Sequence, residues 1–419
     1  MKDSGAKWIG QIPTHWKSDK LKYHLRRKEP KNPGDMTVLS LYRELGVIPK
    51  DSRDDNHNMT SEDTSKYKYV KPGNFVVNKM KAWQGSVAVS DYEGIVSPAY
   101  YVYEFTDNLY YKRYFHYLLR GCYKDEFMRL SGGMRVGQWD LSSEDLDNTL
   151  VIIPPIDEQR KIAEFLDKKC EEVDGLIADI QAQIDTLEQY KRSTITEAVT
   201  KGLNPTAEMK DSGYEWIGES PKSWKFIRGR YLFKQRSTKG NLKNLELLSP
   251  SQKFGVVPQT YLEEMTTQNV VKVREDTNLE TFKTIHVGDF CISLRSFQGG
   301  FEYSKYEGVV SSAYQVFYPI VPIYDGYYKF LFKDKSFIEK MNSYTISFRD
   351  GKNIAFEDFG NTYIPYPPID EQKAIAEYLD KKCAEIDACI EEKKQQISVL
   401  ETYKKSIIFE YVTGKKEVV

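Results

Sequence analysis

Pro154-Pro155-Ile156-Asp157-Glu158-Gln159 occurs twice in this chain, returning as Pro367-Pro368-Ile369-Asp370-Glu371-Gln372, and the residues downstream of it are repeated as well. From Leu166 the apolar residues Leu166, Cys170, Val173, Ile177, Ile180, Ile184 and Leu187 recur at alternating steps of four and three. The second copy places Leu379, Cys383, Ile386, Ile390, Lys393, Ile397 and Leu400 at the same steps, with Lys393 the one charged residue. Two apolar positions per heptad make a narrow seam, which pairs helices along their length. A single helix lying on a globular core carries a broader stripe. The positions between, such as Lys168, Lys169, Glu171, Glu172 and Asp174, are nearly all polar, so only a partner helix would cover the seam.

The hexapeptide also sets the start of each helix. The proline doublet ends the preceding strand, and Asp157-Glu158 and Asp370-Glu371 put negative charge at the positive end of the helix dipole. Gly202 with Pro205, and Gly414, supply stop signals. A helix from about residue 157 to 200 would be roughly 65 Å long at ~1.5 Å per residue. Each seam has one obvious partner, the other seam. The first helix leads into the second variable segment and the second helix leaves it, so an antiparallel pair is the economical geometry. It would put the domains at opposite ends about a pseudo-two-fold axis, with the chain ends close together.

Upstream of the helices the repeat resumes. Met1-Lys2-Asp3-Ser4-Gly5 with Trp8-Ile9-Gly10, Pro13 and Trp16 returns as Met209-Lys210-Asp211-Ser212-Gly213 with Trp216-Ile217-Gly218, Pro221 and Trp224. A unit of roughly 200 residues is a duplicated domain rather than a solenoid repeat. The expected division is a variable domain over 1–153, a helical spacer over 154–208, a second variable domain over 209–366 and a second spacer over 367–419. Short β-rich runs such as Asn74–Val77, Ala99–Tyr103 and Ala313–Tyr318, followed by helical pieces at 112–119 and 327–332, make the variable domains mixed α/β. The fold class is therefore α+β: two mixed α/β domains joined by two long antiparallel coiled-coil helices, pseudo-two-fold symmetric.

Composition places further bounds. At 419 residues, 40% hydrophobic and 13% aromatic, the chain is globular and large enough for two cores. It shows no membrane-length apolar run and no signal-peptide core at its start, so a cytoplasmic location is expected. Cys122, Cys170, Cys291, Cys383 and Cys389 form no CxxC pair, which points to free thiols rather than zinc or disulfides. The net charge of −1 hides a segregation: residues 1–150 hold 23 basic against 20 acidic side chains and residues 209–364 hold 21 against 18, while the acid gathers on the helical segments. Mildly basic variable domains permit DNA binding without demanding it.

No phosphate-binding GxxxxGK[ST] loop is present, and no GxGxxG that follows a strand and opens a helix. The five histidines show no metal spacing. A duplicated enzyme should show its chemistry twice, and no catalytic constellation recurs; the chain reads as non-catalytic, with no metal site. What recurs is polar, basic and aromatic. Lys79, Lys81, Trp83 and Gln84 align with Arg295 and Gln298, and Arg135 and Gln138 lie opposite Arg349 and Lys352. Arg and Lys read guanine edges, Gln and Asn read adenine, and all four grip phosphate. These ten residues are the candidate DNA contacts. Shared features also serve a common fold, so specificity belongs where the copies differ, as in 51–68 against 259–281.

Two variable domains, each closed by Pro-Pro-Ile-Asp-Glu-Gln and a heptad helix and each led in by Trp-Ile-Gly, Pro and Trp, resemble the specificity subunit of type I restriction-modification enzymes. The resemblance spans essentially the whole chain. It implies two target-recognition domains, each reading half of a bipartite, asymmetric DNA site. It also implies that the helices set the spacer and dock two methyltransferase subunits, with restriction/translocase subunits joining the complex. S-adenosylmethionine, ATP and Mg are then expected in the partner subunits and no cofactor in this chain. The alternative is a free-standing sequence-specific DNA-binding regulator, which would bind tightly without partners.

Overall fold

Phe75-Val76-Val77-Asn78 is buried along its whole length because it is an inner strand of a sheet covered on both faces. In a computed structural model, which describes residues 1–43, 45–52, 63–133, 139–239, 245–265, 281–292, 300–344 and 354–418, the sheet runs Leu25–Lys28, Tyr100–Phe105, Phe75–Asn78, Val87–Val89, all antiparallel. Alternate side chains serve different cores. Phe75, Val77 and Tyr103 join the main core with helix Lys112–Cys122, whereas Val76, Ala88 and Val102 join a smaller one. Leu39, Leu41 and Val47, from the hairpin Leu39–Tyr42 and Gly46–Pro49, complete that smaller core.

The second copy rebuilds this sheet as Phe233–Arg236, Gln315–Pro319, Phe290–Ile292, Phe301–Tyr303. Its smaller core holds Leu248, Val256, Ile285, Cys291, Val310 and Val316 under the hairpin Leu248–Ser251 and Gly255–Pro258. One cross-strand pair departs sharply: where Val76 faces Ala88, Cys291 faces Glu302. Glu302 is buried, with one carboxylate oxygen 2.5 Å from Lys333 Nζ and the other without a hydrogen-bond partner among the described residues. Burial pushes its carboxyl up to about 7, against the pull of Lys333.

Two continuous helices, Ile156–Lys201 and Ile369–Val412, carry the heptads. The chain forms two units, one of Met1–Ile180 with the segment from Lys394 onward, the other of Gln181–Lys393. In each unit the helices run antiparallel, as expected. Phe165 packs on Tyr411 and Asp174 bonds Lys404 in the first; Gln183 bonds Lys393 and Lys191 bonds Asp387 in the second. Leu166, Cys170, Val173, Ile184, Leu379, Cys383, Ile386 and Ile390 are buried. Ile177, Ile180, Leu187, Ile397 and Leu400 are half-buried. Lys393 keeps its seam position by sending its ammonium to the Gln183 amide oxygen.

The repeated hexapeptide fastens each helix to its sheet. Gln159, fully buried, donates from Nε2 to the Leu109 and Pro154 carbonyls and accepts from the Tyr111 N–H, each at 2.8 Å. Gln372 does the same with Pro367 and Tyr324, also at 2.8 Å. The end of the other helix completes each core. Tyr114 Oη donates to the Val412 carbonyl and Tyr327 Oη to the Val199 carbonyl, both at 2.7 Å. In the first unit the chain ends meet: Lys415 Nζ donates to the Ile9 carbonyl at 2.7 Å, and Gly414 leaves so little room that a Cβ would lie 2.5 Å from Pro13. Among the described residues no helix is long and apolar enough to cross a membrane.

Candidate nucleic-acid interface

The segment after strand Phe75–Asn78 turns back at once. The Asn78 carbonyl and side-chain oxygens accept the N–H groups of Lys81 and Met80, and Ala82–Gln84 form a 3-10 turn that buries Ala82 and ends at Gly85. The turn presents Lys79, Lys81, Trp83 and Gln84 together. Lys79 Nζ lies 2.8 Å from Asp140, and that hydrogen bond and charge hold its ammonium above the usual lysine range. The Lys79 carbonyl accepts from Leu141 N–H at 3.0 Å, and Tyr101 Oη donates to the Leu141 carbonyl at 3.2 Å. Arg27 stacks its guanidinium over the Tyr101 ring at 5.1 Å. Trp83 donates to the Met80 carbonyl at 3.1 Å and meets Trp139 edge to face at 5.6 Å. Gln84 accepts from Arg43 Nη2 at 2.7 Å, and Lys81 is exposed.

The stretch offers ammonium, amide and indole groups, and the Arg43 guanidinium joins them through Gln84, the mixture that binds phosphates and base edges. The other six candidates, Arg135, Gln138, Arg295, Gln298, Arg349 and Lys352, lie outside the described residues, as do 53–62 and 266–280 of the divergent stretches. The two units anchor their chains alike on either side. Where Tyr101 holds Leu141, Gln315 holds the equivalent backbone through the Ile354 carbonyl at 2.8 Å and the Phe356 N–H at 2.7 Å. Lys68 Nζ donates to the Tyr100 carbonyl at 2.9 Å, and Lys283 Nζ to the Tyr314 carbonyl at 2.7 Å.

Arg43, Arg27 and Asp140 belong to the cluster and were not among the sequence candidates. A signal for Arg43 was present: Leu39-Ser40 with Gly46-Val47-Ile48-Pro49 returns as Leu248-Ser249 with Gly255-Val256-Val257-Pro258, bracketing the tip where it sits. Among the described residues no group of three or more His, Cys, Asp or Glu is placed to hold a metal ion. All five cysteines are free, four of them buried.

The model of the type I restriction modification DNA specificity domain matches residues 25–188 and again 221–401. The chain belongs to that family. DNA sequence recognition is accordingly the role of this specificity chain. It is 28% identical to the putative type I restriction enzyme MjaX specificity subunit of Methanocaldococcus jannaschii over 313 residues, 72% of this chain and 67% of that protein. It is 27% identical to the MjaVIII specificity subunit of the same organism over 372 residues, 83% of this chain and 82% of the relative. Solved structures share the fold. A chain from a study of complex assembly and conformational transition of the type I R-M system superposes with TM-score 0.69 at 14% identity, covering 97% of this chain and 100% of the other. The HsdS subunit from Thermoanaerobacter tengcongensis gives TM-score 0.52 at 16% identity, covering 99% and 100%.

Proposed function

We propose that each unit of this specificity chain reads one half of a bipartite, asymmetric DNA site, and that the two long helices set the spacer between the halves. The observation that carries this is reciprocal helix pairing: Asp174 with Lys404 in one unit and Asp387 with Lys191 in the other. Two readers on a stiff support fix half-site separation geometrically, as dimeric readers do. The half-sites differ because the two variable domains differ in sequence. The chain itself does no chemistry. Its helices dock two methyltransferase subunits, and restriction/translocase subunits join them. S-adenosylmethionine, ATP and Mg are held by those partners, and the complex works in the cytoplasm.

Insertion of two heptads into each long helix adds ~21 Å at ~1.5 Å per residue. That is about six base pairs at ~3.4 Å each. The recognised spacer should lengthen by about that amount, or site binding should be lost. An unchanged spacer in a folded variant would remove the ruler. Purification from the native host discriminates the regulator alternative: recovery without a methyltransferase subunit would favour a free-standing binder.

A further inference from the structure

The two hairpins are the same device with different tips. Each rests on the same six positions of the smaller core, Leu39 and Val47 in one copy matching Leu248 and Val256 in the other. Each is held at its base alike: the Thr37 carbonyl accepts from Ile95 N–H and the Glu246 carbonyl from Val309 N–H, both at 2.9 Å. Each closes over three residues, between Tyr42 and Gly46 in one and Ser251 and Gly255 in the other. Both glycines have positive φ, 76° and 78°, which the turn requires. The tips share none of this likeness. Arg43 and Leu45 are exposed on the first, Gln252 and Lys253 on the second.

A fixed frame with exchanged exposed residues is what a specificity element needs. Arg43 is also braced. Its carbonyl accepts from Arg120 Nη2, and its guanidinium bonds Gln84. Arg43 is thus exposed, yet tied at both its carbonyl and its guanidinium. In the second unit Lys253 lies 5.2 Å over the Phe254 ring, which itself meets Tyr261 edge to face at 5.6 Å. A two-stranded ribbon fits the DNA major groove, where Arg and Lys pair with guanine, Gln pairs with adenine, and an apolar side chain meets the thymine methyl.

We propose that the hairpin tips are base-reading elements, with Arg43 the reader in the first unit and Gln252 and Lys253 the readers in the second. This rests on the half-site reading above. The test uses the protein assembled with the partners it carries in its host. Methylation mapping gives the wild-type motif and the motif of Arg43→Ala and Lys253→Ala. Binding to a cognate and to an unrelated duplex is then measured at one salt concentration. Arg43→Ala should relax one position in one half of the motif and weaken cognate binding about 10- to 100-fold, with unrelated binding unchanged. Lys253→Ala should do so in the other half. Equal losses on both duplexes would make these residues phosphate contacts and overturn the proposal, as would unaltered motifs. Arg43→Gln, which keeps a long polar side chain at the tip, serves if the alanine variant does not assemble. A wild type that yields no two-part motif would refute the half-site reading, not the hairpins.

Discussion

Gln159 satisfies two carbonyls and one N–H that would otherwise be buried without partners. Each such orphan costs ~1–3 kcal/mol. Gln159→Ala should therefore lose about 3 kcal/mol or more in chemical denaturation, and a shift under ~1 kcal/mol would contradict the clamp. The hexapeptide's acidic pair was readable as helix-dipole chemistry, but the glutamine was not. Its partners Leu109 and Tyr111 lie about fifty positions upstream, and no local pattern announces them. The recurrent Lys81, Trp83 and Gln84 could be picked out because the second copy keeps their type as Arg295, Phe297 and Gln298. Asp140 could not, since only folding brings it to that turn, and the repeated bracket around Arg43 marked its hairpin tip but not its bond to Gln84. Glu302 carries a pH prediction. Its folded carboxyl titrates near 7 against an ordinary 4.5, so its stabilising contribution is complete below about 4.5 and is lost as pH rises through 7. The thermal midpoint of Glu302→Gln should gain on wild type between pH 5 and 8. A gap independent of pH would count against a buried, proton-holding carboxyl.

At the scale of elements, the paired helices are stabilised unevenly along their length. Where the helices join a domain core, as at Leu166 and Leu379, the seam is sealed, whereas Ile177, Ile180, Ile397 and Leu400 stay half-buried. The heptad spacing identified the seam because its period depends only on helix geometry. It carried no information about which turns also join a domain core. Lys393 sits half-buried in this stretch, where its ammonium reaches Gln183. Lys393→Ile should stabilise the chain by about 1 kcal/mol through added apolar burial, read as a higher denaturation midpoint. Asp174→Asn should cost under ~1 kcal/mol, because both Asp174 and Lys404 are partly exposed. A larger loss would show that the ion pairs, not the seam, hold the helices.

At the scale of the molecule, the first unit is assembled from both ends of the chain. Ile407 and Val412 belong to the same core as Trp16 and Phe75, whereas the second unit takes its core from one continuous stretch. The duplicated ends made this closure readable, since a helix that ends like Gly202 beside Trp224 should end like Gly414 beside Trp16. A chain truncated after Lys393 should therefore lose protease resistance across residues 1–180 while 181–393 stays resistant. Equal resistance of both parts by mass spectrometry would refute the closure. The same closure has a consequence for synthesis. As the chain leaves the ribosome, Gln181–Lys393 can close its core as soon as its own residues are out. The unit that emerges first must wait, with Tyr114 and its neighbours uncovered, for the last turns of the last helix. Vectorial folding is inverted: the half made first is finished last.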